Sequence, residues 1–221
     1  MTSFRVHGTL MVDESLDDLA LAYKHEVGWA QGFRINIDTR LMLLGVQRLL
    51  TSKLVSEPEL RQSALVVGCR LGAMDSYEAF EASLATNQAT PLAFAYALPS
   101  MPLAGVSVRH GMRGMTYTLT GQKDVGLRAL RQGVGLLVSG RADRAIIGCW
   151  ETPSRTAQYF NPSTRCRLLL AIIEPVKAGA SFFSLANIAP GGSFDADCVA
   201  MLATCLCETD SLGSIGTTGC A

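Results

Sequence analysis

The stretch RGMTYTLTGQKDVGLRALRQGVGLLVSGRADRAIIGCWE, residues 113–151, decides how this chain folds. Residues 115–120 are rich in β-branched and aromatic types. Tyr117 and Leu119 alternate with Thr116, Thr118 and Thr120, which is the two-residue period of a strand. Gly121 permits a sharp change of direction. From Asp124 onward, Leu127, Leu130, Val134, Leu137 and Val138 recur at three- and four-residue steps, the spacing of one helix face. Ser139-Gly140 predicts the helix end, because glycine accepts the left-handed conformation of a C-cap. Residues 145–149 form a continuous apolar run, as in a strand covered on both faces. Strand, helix, strand in this order predicts a parallel βαβ unit.

The 221 residues are long enough for a substantial core. The chain is 48% hydrophobic and 17% charged, which fits either a large buried partner interface or a well-covered α/β sheet. Nineteen basic residues balance nineteen acidic ones, so nothing marks an electrostatic nucleic-acid binder. No apolar run approaches the roughly 18 residues that span a bilayer. The first residues, MTSFRVHGTLMVDESLDD, lack the basic-then-apolar form of a signal peptide, so the expected location is cytoplasmic. The seven cysteines are odd in number and contain no CxxC pair. Neither a disulfide framework nor a zinc site is expected, and no cofactor or metal is implied.

Elsewhere the pattern predicts a first strand over residues 4–12 and a helical segment within 14–28. Asp38 is read as the cap of a helix over 39–53, with Leu41, Leu44, Leu49 and Leu50 on its apolar face. Ser56–Glu59 opens either a loop or a helix, and 64–68 (ALVVG) is a buried strand. Asp75 and Glu78 have the spacing of a capping box opening a helix through Leu84. Residues 152–161 are read as a polar loop and 167–174 (RLLLAIIE) as another buried strand. A closing helix over 196–206 follows. The Gly-, Ser- and Thr-rich residues 209–221 are expected to be a flexible tail, leaving one domain over 1–208.

The opening stretch resembles the nucleophile-elbow region of the β-ketoacyl synthases, in the thiolase superfamily. GRADRAIIGCWE, from Gly140 to Glu151, is similar to the family's xGRADxAIxGGxE loop, and GMTYTLT to the strand before its catalytic cysteine. TPLAFAYALPSMPLAGVSVRHGMRG, residues 90–114, resembles the ketosynthase SPxxFxxxxPNxxAGxIAxxxGLxG segment, with Ser100 where asparagine is usual. The resemblance implies an α/β, thiolase-like fold, mainly its N-terminal half, with a mixed central sheet flanked by helices, and a strand over 181–188. It also implies a tunnel-side role for Leu71, Met74, Phe94, Met101 and Val108, each of which also fits ordinary core. The family's second half, with its two catalytic histidine motifs, has no counterpart. His7, His25 and His110 are read as ordinary polar residues.

The family's cysteine falls on Lys123. A helix N-terminus favours a thiolate and disfavours an ammonium, so lysine is a poor electrostatic substitute, partly offset by Asp124. Lys123 can be a solvated lysine, a Schiff-base nucleophile, or a replacement for a nucleophile that a non-catalytic partner does not need. The third reading agrees best with the resemblance. Type II polyketide synthases pair a ketosynthase with such a partner, the chain-length factor, which commonly has glutamine near this place, as Gln122 is here.

The implied site therefore has no catalytic residue. Gln122, Lys123, Asp124, Thr118 and Thr120 form an interface tip, and the five apolar residues shape an acyl tunnel. The implied partners are the catalytic ketosynthase, as a heterodimer, and an acyl carrier protein with its phosphopantetheine-bound chain, met mainly through the ketosynthase. Arg141 and Arg144 are possible carrier contacts or solvated loop charges. The implied product is an aromatic polyketide such as an octaketide anthraquinone, with an aryl polyene as alternative. A stand-alone acyl-thioester enzyme using Lys123 or Cys149 is the rival reading. A truncated partner is also expected to expose an apolar surface where the second half would pack, and so to be unstable alone.

Overall fold

A computed structural model describes residues 3–29, 35–89, 91–160 and 163–176, together with positions 199, 202–204 and 206. The elements in order are β1 (Ser3–Glu14), α1 (Leu16–Ala22), α2 (Ile37–Thr51), α3 (Glu57–Gln62), β2 (Ala64–Cys69), α4 (Met74–Ala85) and α5 (Pro91–Tyr96). Then come α6 (Met101–His110), β3 (Thr116–Thr120), α7 (Val125–Val138), β4 (Ala145–Glu151), α8 (Arg155–Phe160) and β5 (Cys166–Val176). A single π-helical turn, Tyr23–Val27, extends α1.

The strands form one mixed sheet in the order β1-β5-β4-β2-β3. β2 is parallel to both β3 and β4, whereas β5 is antiparallel to β4 and β1. The predicted βαβ unit is present, but β3 and β4 are not neighbours: β2 lies between them, and α7 crosses above it.

Alternation along the strands builds two cores. Leu65, Val67, Ile146, Trp150, Leu168, Leu170 and Ile172 face α2 and α6. Ala64, Val66, Ala145, Ile147, Cys149, Leu169, Ala171 and Ile173 face α7. Helices on both faces explain why β2 and β4 read as unbroken apolar runs. β1 serves both cores, because a register shift between Val6 and Gly8 exchanges its faces. Phe4 and Val6 pack on the α7 side, and Leu10 and Val12 on the other.

Close packing needs a bare backbone at Gly68. A Cβ there would sit 2.8 Å from the Val125 carbonyl oxygen, so the first turn of α7 rests directly on β2. Gly140 has φ +66°, the left-handed turn expected after α7, whereas the turn at Gly121 is made without positive φ.

Several local expectations change. Asn36, not Asp38, caps α2: its side chain accepts from the Thr39 amide. Either residue type can cap, and the one placed two residues earlier leaves Asp38 inside the first turn. Asp75 likewise lies within α4, after Ala73 at the cap position. Its expected partner Glu78 accepts from the Arg155 and Thr156 amides instead, and so caps α8. The expected polar loop over 152–161 therefore contains a helix, made possible by that carboxylate from another element. Ser56 and Glu59 form the capping box of α3.

Helical positions 199, 202, 203, 204 and 206 agree with a closing helix, and Val199, Leu202 and Leu206 join the α7-side core. The expected strand over 181–188 and the tail over 209–221 lie outside the described residues. The outer face of α7 is mostly polar or small. Its exposed positions are Arg128, Arg131, Gly135 and Val138, of which only Val138 is apolar and large.

Candidate functional site

The elbow is built from β3, the turn after it and the start of α7. β3 is an edge strand: among the described residues it pairs with β2 alone. The Met115 carbonyl accepts from the Leu65 amide, and the Gly121 amide donates to the Cys69 carbonyl. Parity then directs the backbone of Thr116, Thr118 and Thr120 away from β2. Tyr117 and Leu119 pack against the α7-side core. Thr118 Oγ1 is buried without a hydrogen-bond partner, whereas Thr120 is exposed.

A tight turn follows, closed by the Val125 amide on the Gln122 carbonyl at 3.0 Å. Gln122 at its tip is exposed, and Lys123 and Asp124 are half-buried. Asp124 takes the N-cap position of α7, but its side chain caps no amide. Its carboxylate instead accepts from Arg128 Nε at 2.8 Å, one turn on. The predicted tip residues thus stand together at the open edge of the sheet.

The predicted tunnel residues are more scattered. Leu71, Met74 and Met101 are half-buried, whereas Phe94 is 56% and Val108 70% exposed. Phe94 lies 5.3 Å from Phe80 between ring centres. Around them Tyr77 and Leu84 on α4, Leu92 on α5, Leu98 between α5 and α6, and Met115 just before β3 are exposed. The exposed apolar side chains therefore gather on these elements rather than on α7.

A small cleft of about 30 Å³ opens where the parallel strands β2 and β4 end. Leu71 is the only predicted tunnel residue lining it. Cys69, Trp150, Thr152 and Ala157 supply its less charged wall, and Arg70, Arg165, Arg167 and Glu151 its charged one. The charges are internally paired: Arg70 meets Glu151 at 3.7 Å, and Arg165 binds Asp13.

Sequence reasoning missed the group behind this cleft. Asp38 is fully buried, and its Oδ1 accepts from Trp150 Nε1 at 2.8 Å and Thr152 Oγ1 at 2.7 Å. Burial first, and then the Asp75 carboxylate, push Asp38 well above the usual range, against the opposing hydrogen bonds from Thr152 and Trp150. Burial raises Asp75 too. The available signal was an acid on the apolar stripe that continues through Leu41 and Met42. Such a stripe position is buried, and a buried carboxyl needs partners.

Cys149, the alternative nucleophile, is fully buried in the sheet. Burial pushes the Cys69 thiol up to about 12. Among the described residues, no three or more His, Cys, Asp or Glu stand where they could hold a metal ion. Arg144 is not a solvated loop charge: it pairs with Glu59 at 2.9 Å and with Glu174. Bonds from Ser56, with help from Arg144, hold Glu59 down to about 2. Arg141 is exposed.

Residues 31–177 match the family described as "Beta-ketoacyl synthase, N-terminal domain". The chain belongs to the β-ketoacyl synthase family. This accounts for the elbow, the mixed sheet and the thiolase-like layering together. No curated protein matches its sequence.

Solved structures share the fold at low identity. A chain of the ishigamide ketosynthase/chain length factor matches at TM-score 0.61 and 20% identity, over 71% of this chain. Only 48% of that chain is covered, so the ketosynthase-like chain spans about half its length. A chain of the ketosynthase ApeO in complex with its chain length factor ApeC, from Xenorhabdus doucetiae, matches at TM-score 0.60 and 12% identity over 80% of both chains. A chain of the AntDE:AntF complex, a type II PKS acyl-carrier protein with its ketosynthase, matches at TM-score 0.58 and 12% identity. It is covered over 63% of its length, and this chain over 79%. No helix among the described residues is long and apolar enough to cross a membrane.

Proposed function

We propose that the chain is a non-catalytic chain-length factor, pairing with a ketosynthase in a type II polyketide synthase and shaping the acyl tunnel at the heterodimer interface. One observation carries this reading: the elbow that holds the family's nucleophile carries Lys123 here, at an edge strand beside an exposed apolar face. An uncharged edge strand offers a ladder to another chain. Tyr77, Leu92, Phe94, Leu98, Val108 and Met115 supply the apolar surface of an obligate interface. A chain from the ApeO–ApeC complex that shares the fold over 80% of both chains supports this reading.

In this reading Gln122, Lys123, Asp124, Thr118 and Thr120 meet the ketosynthase. Leu71, Met74, Phe94, Met101 and Val108 limit chain growth by steric stop. The acyl carrier protein delivers its phosphopantetheine-bound chain mainly to the ketosynthase. The proposed product is an aromatic polyketide of octaketide length, and the domain is proposed to occupy residues 1–208 in the cytoplasm.

Co-expression with the ketosynthase encoded beside it, followed by size-exclusion chromatography with mass determination, tests the pairing. A 1:1 complex is expected, and a stable monomer that ignores the ketosynthase overturns it. Labelling of Lys123 by an acyl thioester would restore the stand-alone enzyme, whereas the buried Cys149 offers no approach for one. Mass spectrometry of the reconstituted pair's product tests the product class, and a polyene overturns the aromatic assignment.

A further inference from the structure

Asp38 in α2 and Asp75 in α4 belong to one hydrogen-bond network, through Asn36 and Ser76, and lie close enough for each carboxyl to bear on the other's ionisation. An ionised carboxylate only accepts, and two neighbouring ones out of water repel, so a proton held between them relieves both. The surroundings are built around this pair. Trp150 and Thr152 donate to Asp38 Oδ1, and Asn36 Nδ2 reaches Oδ2 at 3.3 Å. The same Asn36 amide donates to Ser76 Oγ at 3.3 Å and to the Tyr96 carbonyl at 3.1 Å. Ser76 in turn donates to Asp75 at 3.4 Å.

One network therefore ties the start of α2 to the start of α4, the end of α5 and the end of β4. Trp150 and Thr152 are the cleft wall, and α4 and α5 carry the exposed Tyr77, Leu92 and Phe94. The other titratable groups facing the pair are Glu78 from α4, Cys69 from β2 and Cys166 from β5. Glu78 is engaged by the start of α8, and both thiols are pushed up to about 12, chiefly by burial, so they stay neutral.

We propose that Asp38 and Asp75 share one proton and act as positioning residues, clamping α2, α4 and α5 to the end of β4 and so fixing the cleft wall at Trp150 and Thr152. Loss of the proton leaves two neighbouring like charges, that of Asp38 fully buried, and releases the clamp. The proposal stands apart from the partner reading, since it uses only contacts within this chain. The sign follows from linkage. Asp38 is raised to about 7, above its unfolded value of 3.8, so the fold holds more protons than the unfolded chain between them. The pair's contribution to stability is full below the lower value and is lost as pH rises through the upper one.

Infrared spectroscopy of the full chain with isotope-labelled aspartate reads the proton directly. A neutral-acid carbonyl band is expected in the wild type below about pH 7, vanishing on going to about pH 9. It should be missing near neutrality from both Asp38→Asn and Asp75→Asn, where the amide donates in place of the shared proton. In parallel, Trp29→Phe leaves Trp150 as the single indole reporter. Its emission should change with the same midpoint as the band, and Asp75→Asn should flatten that change. The wild-type titrations need no variant to fold. Absence of the acid band near neutrality, its persistence in both asparagine variants, or an unchanging Trp150 signal while the band titrates would each overturn the proposal. A rise in melting temperature with added magnesium or calcium, together with loss of the band, would assign the pair to a cation and overturn it too.

Discussion

The two edges of the sheet are managed in opposite ways. β1, on one side, runs from Ser3 to Glu14 and carries Arg5, His7, Asp13 and Glu14. A register shift kinks it, Arg5 pairs with Glu174 at 2.9 Å, and Arg165 anchors Asp13. Bulges and charges are the devices by which proteins blunt an edge against further pairing. β3, on the other side, is TYTLT, without a charge, a proline or a shift in its pairing with β2. The exposed apolar side chains of α4, α5 and α6 also avoid the β1 strand, where Met11 is the only large exposed apolar residue. The contrast teaches that, among the described residues, β1 carries the devices that block further pairing and β3 carries none.

The largest effect expected on the open side is at Gly68, whose Cβ would strike the seat of α7 under the elbow. Gly68→Ala should destabilise the fold by about 2–3 kcal/mol, read by urea denaturation. A neutral result would show that α7 slides without cost.

Thr118→Pro separates the edge from the fold. Its amide points away from β2 by the ladder's parity, so the inner pairing should survive. Ketosynthase binding should weaken by about 30-fold, or ~2 kcal/mol, in a titration calorimeter. Unchanged affinity would mean that β3 is not the partner's edge.

On the β1 side, Glu174 is buried and receives both Arg5 and Arg144. Burial works to raise it, but bonds from those arginines keep it below the ordinary carboxylate range. Glu174→Gln should cost about 1–2 kcal/mol of stability while leaving ketosynthase affinity untouched. If affinity falls with it, the two edges are coupled.

A smaller effect comes from His110 at the end of α6. Burial lowers its pKa, opposed by Glu57, which lies 3.3 Å from Nδ1. A depressed folded pKa means that the unfolded chain binds the proton first. Stability from His110 is thus present above its unfolded value of about 6.5 and lost as pH falls below it. His110→Gln should remove that acid-side loss in thermal melts, and an unchanged profile would exclude the histidine as its source. Smallest of all, Lys123→Ala should move stability by less than about 0.5 kcal/mol. A larger change would give the tip a structural duty.

What the sequence revealed, and what it hid, divides along physical lines. The β3–α7–β4 pattern was legible because burial on one or both faces imposes a two-residue or 3.6-residue period, and those periods survive in TYTLT and VGLRALRQGVGLLV. The Gly140 stop was legible because positive φ selects glycine. Long-range choices were not. Asp38 and Asp75 look like caps from their neighbours alone, and only the fold brings Trp150 and Thr152 to the first of them. α8 is hidden because the carboxylate that caps it, Glu78, lies far back in the chain. Arg144 looked like a loop charge until α3 and β5 delivered Glu59 and Glu174. The tip residues were placed by the family resemblance, whereas the grouping of Leu71 with the cleft depends on where β2 and β4 end.

The pairing of β1 with β5 also sets a schedule. Phe4 lies opposite Pro175 and Val12 opposite Leu168, so β1 leaves the ribosome more than 150 residues before its described neighbour. Until β5 arrives, β1 has no ladder, and neither does the outer flank of β4. Contacts of such sequence separation close slowly and leave unpaired strands exposed meanwhile. The bulge and charges that finish the β1 edge in the folded protein therefore already protect the nascent chain, during the interval when that strand has nothing to pair with.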